Sequence, residues 1–299
     1  MCIRDSLLGR GSDPPPPALT TPGSVAPATT TVPAPVPMWI GANTANNSMA
    51  AFEEAEASIG PLRFRRCFHV DLPVSHAQSC AADDWPRYRS FVSWKPPADD
   101  FKGAANGLYD AQISAWAASV PTSIGLYATV YYEPEGKMTG PEFVAMFQRV
   151  YRVVKEANPS INFGPVYTDY RWEEGSDRYA PGGPDAWWVG PADFIAVDVY
   201  SRNPQTLEAS AEFQGWKRFA DAKAPTLPRV VSQYSLYKPD GTPDPRMQAE
   251  RARVIAVDEA YLQSNHYVVW ILDQANGWEL SDAGSQAAWR RVAANGRKD

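Results

Sequence analysis

From Met38 onward, short runs of β-branched and aromatic residues alternate with longer stretches whose apolar positions recur every three or four residues. That alternation predicts strands and amphipathic helices in regular succession. The first run, MWIGAN (38–43), precedes a stretch carrying Met49, Phe52, Ala55 and Ile59 at helical spacing. LRFRRCFHV (62–70) and RSFVSWK (89–95) read as the second and third strands, and a helix around 108–118 leads into IGLYATVYYEPEG (124–136) as the fourth. Pro141, at a helix start, introduces Phe143, Phe147, Val150 and Val154 as one apolar stripe. INFGPVYTDY (161–170), ADFIAVDVYSR (192–202), PRVVSQYS (228–235) and HYVVWILDQ (266–274) complete the strands, with helices through Leu207 and Phe219 and over 245–263 between the last three. Eight such units in residues 38–299 predict an α/β fold, a single (β/α)8 barrel. No glycine-rich phosphate loop follows the first strand, which argues against a doubly wound sheet.

Residues 1–37 break the pattern. Nine of the 28 prolines stand at positions 14–17, 22, 27, 33, 35 and 37, among Thr, Ala, Ser and Val. Such a segment cannot bury a core and is expected to be a disordered, extended leader, leaving 38–299 as the barrel domain. Its first residues, MCIRDSLLGRGSD, lack the apolar stretch of a secretory signal. A Pro/Thr tether normally joins a domain to something, so the expectation is a monomer tethered to another module, with its true N-terminus missing or replaced. Cys67 and Cys80 either close one loop as a disulfide or are two buried thiols. With the tether, the pair favours an extracellular or cell-surface location. Asn46-Asn47-Ser48 is a formal glycosylation sequon.

Charge narrows the partners. Lys and Arg total 28 against 34 Asp and Glu, a net charge of −6 without long single-sign runs, which argues against nucleic acid as a partner. No apolar run reaches the roughly eighteen residues that span a bilayer, so no membrane insertion is expected. Cys67, His69 and His76 read as a strand end and a loop, not as a metal site, and no cofactor is implied. Ser232 and Ser235 lack the glycine-flanked elbow of an esterase nucleophile.

In a barrel the working residues stand at the C-terminal ends of the strands. Arg66, His69 and Asp71 end the second, Trp94 and Lys95 the third, and Tyr132, Glu133 and Glu135 the fourth. Asp169 and Trp172, Asp198 and Tyr200, Gln233 and Tyr234, and Trp270 and Asp273 follow in order. Carboxylates walled by aromatics suit glycosidic bond chemistry, in which one acid protonates the leaving oxygen and a second group attacks or activates water. Glu133 is the best acid, because the Glu-Pro step should turn its carboxyl out at the barrel mouth among aromatics that raise its pKa. Glu135 reads as a solvated bystander. Trp94, Trp172, Tyr200 and Trp270 are candidates to stack on sugar rings, Tyr132 and Tyr234 to line the same pocket, and Arg66 to hydrogen-bond a sugar hydroxyl or orient a carboxylate. Trp187 and Trp188, in a Gly/Pro-rich loop, are either packed under that loop or a further sugar platform lining a groove.

The segments GAANGLYDAQISAWAASV, IGLYATVYYEPEG, GPEFVAMFQRVYRVVKEANPSINFGPVY and ADFIAVDVYSR, in this order, resemble the central part of glycoside hydrolase family 26 and related clan-A barrels, of which β-mannanases are the best-known members. The resemblance implies a retaining glycosidase acting on a polysaccharide or oligosaccharide, with the acid/base at Glu133 and a glutamate nucleophile at the end of strand seven. It matches Asp198 and Tyr200 to the family's strand-six pair and Trp270 to its strand-eight aromatic. Tyr132 stands where the family commonly has His. At the nucleophile position this chain has Gln233, and an amide neither attacks a sugar carbon nor stabilises an oxocarbenium-like transition state. Two expectations result: a hydrolase with Glu133 as general acid/base and another base, such as Asp198, Asp169 or Asp273, or a catalytically impaired carbohydrate-binding or adhesion module.

Overall fold

The computed structural model describes residues 37–201, 204–236, 245–275 and 277–298, so all but the last residue of the expected leader lies outside it. The elements are β1 (Trp39–Thr44), α1 (Met49–Ile59), β2 (Phe64–Phe68), β3 (Arg89–Trp94), α2 (Phe101–Ala105), α3 (Asp110–Ser119), β4 (Tyr127–Val130) and α4 (Gly140–Ala157). They continue with β5 (Asn162–Phe163), β6 (Val166–Thr168), β7 (Ile195–Ser201), α5 (Ala211–Lys223), β8 (Arg229–Leu236), α6 (Pro245–Ser264), β9 (Tyr267–Gln274) and α7 (Ala283–Asn295).

The strands form one parallel sheet in the order β5-β4-β3-β2-β1-β9-β8-β7-β6. The α/β class and the parallel sheet match the expectation, but a closed ladder of eight strands does not form. The run 161–170 is split at Gly164-Pro165 into β5, which pairs with β4, and β6, which pairs with β7. Proline has no N–H to give a ladder. A side chain at Gly164 would place its Cβ 2.4 Å from the Phe194 carbonyl oxygen, so this break is packed tightly. The ladder is therefore open between two strands that are neighbours in the chain. The sheet nevertheless curls, because Arg66 on β2 reaches Asp198 on β7, several strands away, at 2.5 Å.

Alternation along each strand divides the core in two. Trp39, Phe64, Phe91, Ala196, Val230 and Ile271 fill the inside of the curl. Their neighbours one residue on, including Ile40, Val92, Val197, Val231 and Leu272, pack outward in a larger cluster that includes residues of the helices. Helix α4 begins with a capping box in which Thr139 and Glu142 satisfy each other's backbone, and Asn158 at its end donates to the carbonyls of Ala117 and Val120 at 3.1 and 2.8 Å. Trp187 is no sugar platform: it is buried against Phe143, and its indole donates to the Pro181 carbonyl at 3.0 Å.

Cys67 and Cys80 form a disulfide across a separation of 13 residues. A loop of that size constrains the unfolded chain by about 3 kcal/mol. The Cys67→Ala/Cys80→Ala protein is expected to unfold at lower urea with an unchanged slope, and reducing agent should lower the midpoint of the natural protein but not of the variant.

Candidate functional site

Strand β4 ends at Val130, three residues before Glu133, so the Glu-Pro step does not itself place the carboxyl. Tyr131 and Glu133 instead adopt left-handed backbone conformations (φ 56° and 52°), a rarely populated region for residues with a side chain. They are held there by hydrogen bonds from Tyr131 N to the Trp94 carbonyl (2.8 Å) and from Glu133 N to the Val166 carbonyl (3.0 Å). Strain retained where the surroundings over-determine it is common at functional sites.

Opposite, the inward positions of β7 after Ala196 are Asp198 and Tyr200. Asp198 is fully buried and doubly held, by Arg66 Nη1 at 2.5 Å and by the Ser232 hydroxyl at 2.6 Å. Arg66 also donates through Nε to Ser93 at 3.1 Å and lies over the Phe68 and Phe91 rings. The Tyr200 hydroxyl donates to Gln233 Oε1 at 2.7 Å, and the Tyr200 and Glu133 side chains interact electrostatically. Gln233 faces this side only because β8 is bulged: Val231 pairs with Val197 but Gln233, not Ser232, pairs with Asp198. The extra residue shifts the alternation, bringing both Ser232 and Gln233 to the inner face and turning Tyr234 outward.

Glu133 is pushed up to about 7, first by burial and then by the Asp198 charge, while the Arg66 cation pulls the other way. Its Oε1 is buried without a protein partner among the described residues, as are Arg66 Nη2 and Asp198 Oδ2. Asp273, raised to about 6 by burial, accepts from Asn43 at 2.7 Å, Ser235 at 3.3 Å and the Ala275 N–H at 3.1 Å.

Two clefts flank this cluster and share Tyr200. One, about 420 Å³, is bounded by Asn43, Asn46, Asn47, Phe68, Tyr132 and Gln233. The other, about 500 Å³, is bounded by Asp169, Tyr170, Arg178, Glu212 and Trp278. The two clefts meet at Tyr200, and together they are the candidate groove. Tyr132, edge-on to Phe68, and Tyr200, against Trp278, present rings to it.

The structure does not bring the other expected platforms here. Trp94 packs on Trp116, Trp172 stacks on Phe219, Trp270 packs on Tyr234 and Trp289, and each of the three is fully buried outside the curl. Tyr234 is likewise buried and donates to Asp258 at 2.5 Å. A ring without an open face cannot stack on a sugar. Glu135 is not a solvated bystander either: it is buried, accepts from Trp172 Nε1 at 3.1 Å and from the Thr168 N–H at 3.3 Å, and is pushed up to about 8 by burial. Asn43, Tyr170 and Trp278 went unread in the sequence. Asn43 was legible as the polar end of the first strand, and Trp278 as a tryptophan beside polar residues just past the last. Cys67, His69 and Cys80 lie together, but both sulfurs are taken by the disulfide.

Glu135 and Asp169, each pushed up to about 8 mainly by burial, make stability depend on pH. Their ordinary values are 4.5 and 3.8, so the native state holds protons that the unfolded chain releases. Their contribution is fully present below those ordinary values and is lost as pH rises through about 8. The urea midpoint should therefore fall between about pH 5 and about pH 8, and Glu135→Gln should flatten that fall.

No protein-family model matches the chain, and no curated protein matches its sequence. Solved structures do match its fold. A Cellulomonas fimi endo-β-1,4-mannanase double mutant superposes with a TM-score of 0.58 at 10% identity, over 86% of this chain and 70% of that one. A GH128 endo-β-1,3-glucanase from Amycolatopsis mediterranei gives 0.55 at 14% identity, over 85% and 99%. A GH128 oligosaccharide-binding protein from Trichoderma gamsii gives 0.51 at 12%, over 86% and 94%. The chain thus has a glycoside-hydrolase-like fold, one shared across several families. No helix among the described residues is long and apolar enough to cross a membrane.

Proposed function

We propose that the groove binds a β-linked polysaccharide and that the protein is a carbohydrate-binding member of the glycosidase-barrel group, with Glu133 kept as the acid and the nucleophile lost at Gln233. The observation that carries this reading is the Tyr200–Gln233 hydrogen bond beside Glu133. A retaining pair is two carboxyls roughly 5–5.5 Å apart, and here Gln233 offers an amide in place of one of them. Asp198 does not replace it, because its Oδ1 is held by both Arg66 and the Ser232 hydroxyl. The motif order supports kinship with family 26, and the Pro/Thr leader and disulfide an exported monomer carried on another module.

Hydrolysis by direct attack of water is the second reading, favoured by Asp273, whose carboxyl interacts electrostatically with Glu133 and is raised to about 6. Affinity electrophoresis and reducing-end release on β-mannan, β-1,3-glucan, β-1,4-glucan and xylan separate the two. Binding of one polymer that is lost in Tyr200→Ala, without release, is the expected result. Release by the natural protein that disappears in both Glu133→Ala and Asp273→Asn would replace it with the hydrolase.

A further inference from the structure

At the other end of the strands, where β1, β2 and β3 begin, a pocket of about 170 Å³ is lined by Trp39, Arg63, Trp85, Arg87, Arg89 and Lys298. We propose that it is a second binding site, for a single negatively charged sugar unit of an acidic glycan. It does not depend on what the groove binds.

Three observations support it. First, Trp85 is 43% exposed on a turn that cannot fold away. The preceding Asp84 is fully buried and accepts from Arg65 at 2.7 Å and Ser90 at 2.5 Å, and the Tyr88 N–H closes the turn on the Asp84 carbonyl at 2.7 Å. An indole presented on a rigid turn is pre-organised for a ligand, because little conformational freedom is lost on binding. Second, the charge is locally inverted in a chain of net −6. Arg87 is neutralised by Glu53 and Glu56 at 2.7 and 3.0 Å, and Arg63 approaches Glu56 at 3.8 Å. Arg89 and Lys298 make no ion pair with a described residue. Third, the Arg89 guanidinium lies 4.4 Å from the Trp39 ring centroid, which fixes its plane against an aromatic face and leaves its N–H edge for an anion.

An open indole face beside two unneutralised cations matches a pyranose that stacks its carbon-bound hydrogens and directs a carboxylate or sulfate ester toward the cations. The volume is below the roughly 300–1,000 Å³ of drug-sized pockets and suits one monosaccharide unit. Nucleic acid binding draws on about six to ten phosphate contacts and membrane surfaces on clusters of about four to eight cations, more than this pocket provides.

The test is calorimetric titration with trigalacturonate, a sulfated trisaccharide and neutral cellotriose. At least one acidic trisaccharide should bind about tenfold more tightly than cellotriose, and the two acidic probes identify the anion. That affinity should fall between about 0.05 and 0.5 M salt. Trp85→Ala and the end-of-chain variant Lys298→Glu should each weaken it about tenfold with unchanged thermal transitions, whereas Tyr200→Phe in the groove should leave it intact. Equal binding of acidic and neutral probes, no binding of either, acidic binding unaffected by both pocket variants, or tighter binding of a DNA duplex or phosphatidylglycerol vesicles would each overturn the proposal. Loss of groove binding with this titration intact would count against the groove reading alone.

Discussion

Gln233→Glu is expected to give a protein that releases reducing ends from the polymer the groove binds, at a rate at least about a thousandfold above the natural protein. The change places a carboxylate at the hydrogen-bond partner of the Tyr200 hydroxyl, beside Tyr200, which interacts electrostatically with Glu133. Tyr200 would donate to that carboxylate and favour its charged form, while its charge would push Glu133, already near 7, further up. A pair of carboxyls driven apart in this way gives a nucleophile and an acid at the same pH. The rate should trace a bell against pH, its alkaline limb set by Glu133 at or above about 7. Adding Glu133→Gln to that background should remove about 10²–10⁴-fold of the rate and the alkaline limb with it. If Gln233→Glu binds the polymer as the natural protein does and still releases nothing, the loss of function does not lie at this position.

Arg66→Met should destabilise the fold by about 3–5 kcal/mol, because it leaves the Asp198 carboxylate buried with only Ser232 to satisfy it. Both side chains of the pair have no exposed surface, so solvent does not screen the loss. Removing both charges, as Arg66→Met/Asp198→Leu, should recover most of the stability, since a buried pair replaced by apolar groups is often neutral. Urea denaturation of the two single variants and the double one measures this directly. In the Gln233→Glu background the same Arg66→Met change should move the alkaline limb upward, because the cation that lowers Glu133 is gone. A limb that stays in place would separate Arg66 from the acid and leave it a purely structural role.

The candidate site was legible to the extent that strand ends were. Glu133, Asp198, Tyr200, Gln233 and Arg66 each stand in or just past the C-terminal half of an apolar run, and the structure draws all five to one cluster. The tryptophans misled for a reason that was itself in the sequence. Trp94 is out of step with Phe91 and Ser93, and Trp270 with Ile271 and Asp273, so alternation sends both rings outward once the inner face is known. Composition says that a chain is rich in tryptophan but not which face each ring takes. Glu135 was misread because nothing local marks a carboxyl that will be covered by a segment more than thirty residues away, as Trp172 and Thr168 cover it.

The sequence by itself determined the succession of elements, the parallel sheet and the strand ends at which chemistry could stand. Periodicity encodes which face of an element must leave water, and a β/α alternation leaves a parallel sheet as the way to bury both faces of its strands. Three matters were decided only in three dimensions. The ladder opens at Gly164-Pro165 because a proline without an N–H falls where two strands must diverge to separate neighbours. Glu133 is aimed by left-handed backbone held by carbonyls of Trp94 and Val166, which no local preference of Tyr131 or Glu133 would select. The bulge in β8 chooses Gln233 over Tyr234 for the groove, since a one-residue shift in pairing reverses the side to which every later residue points.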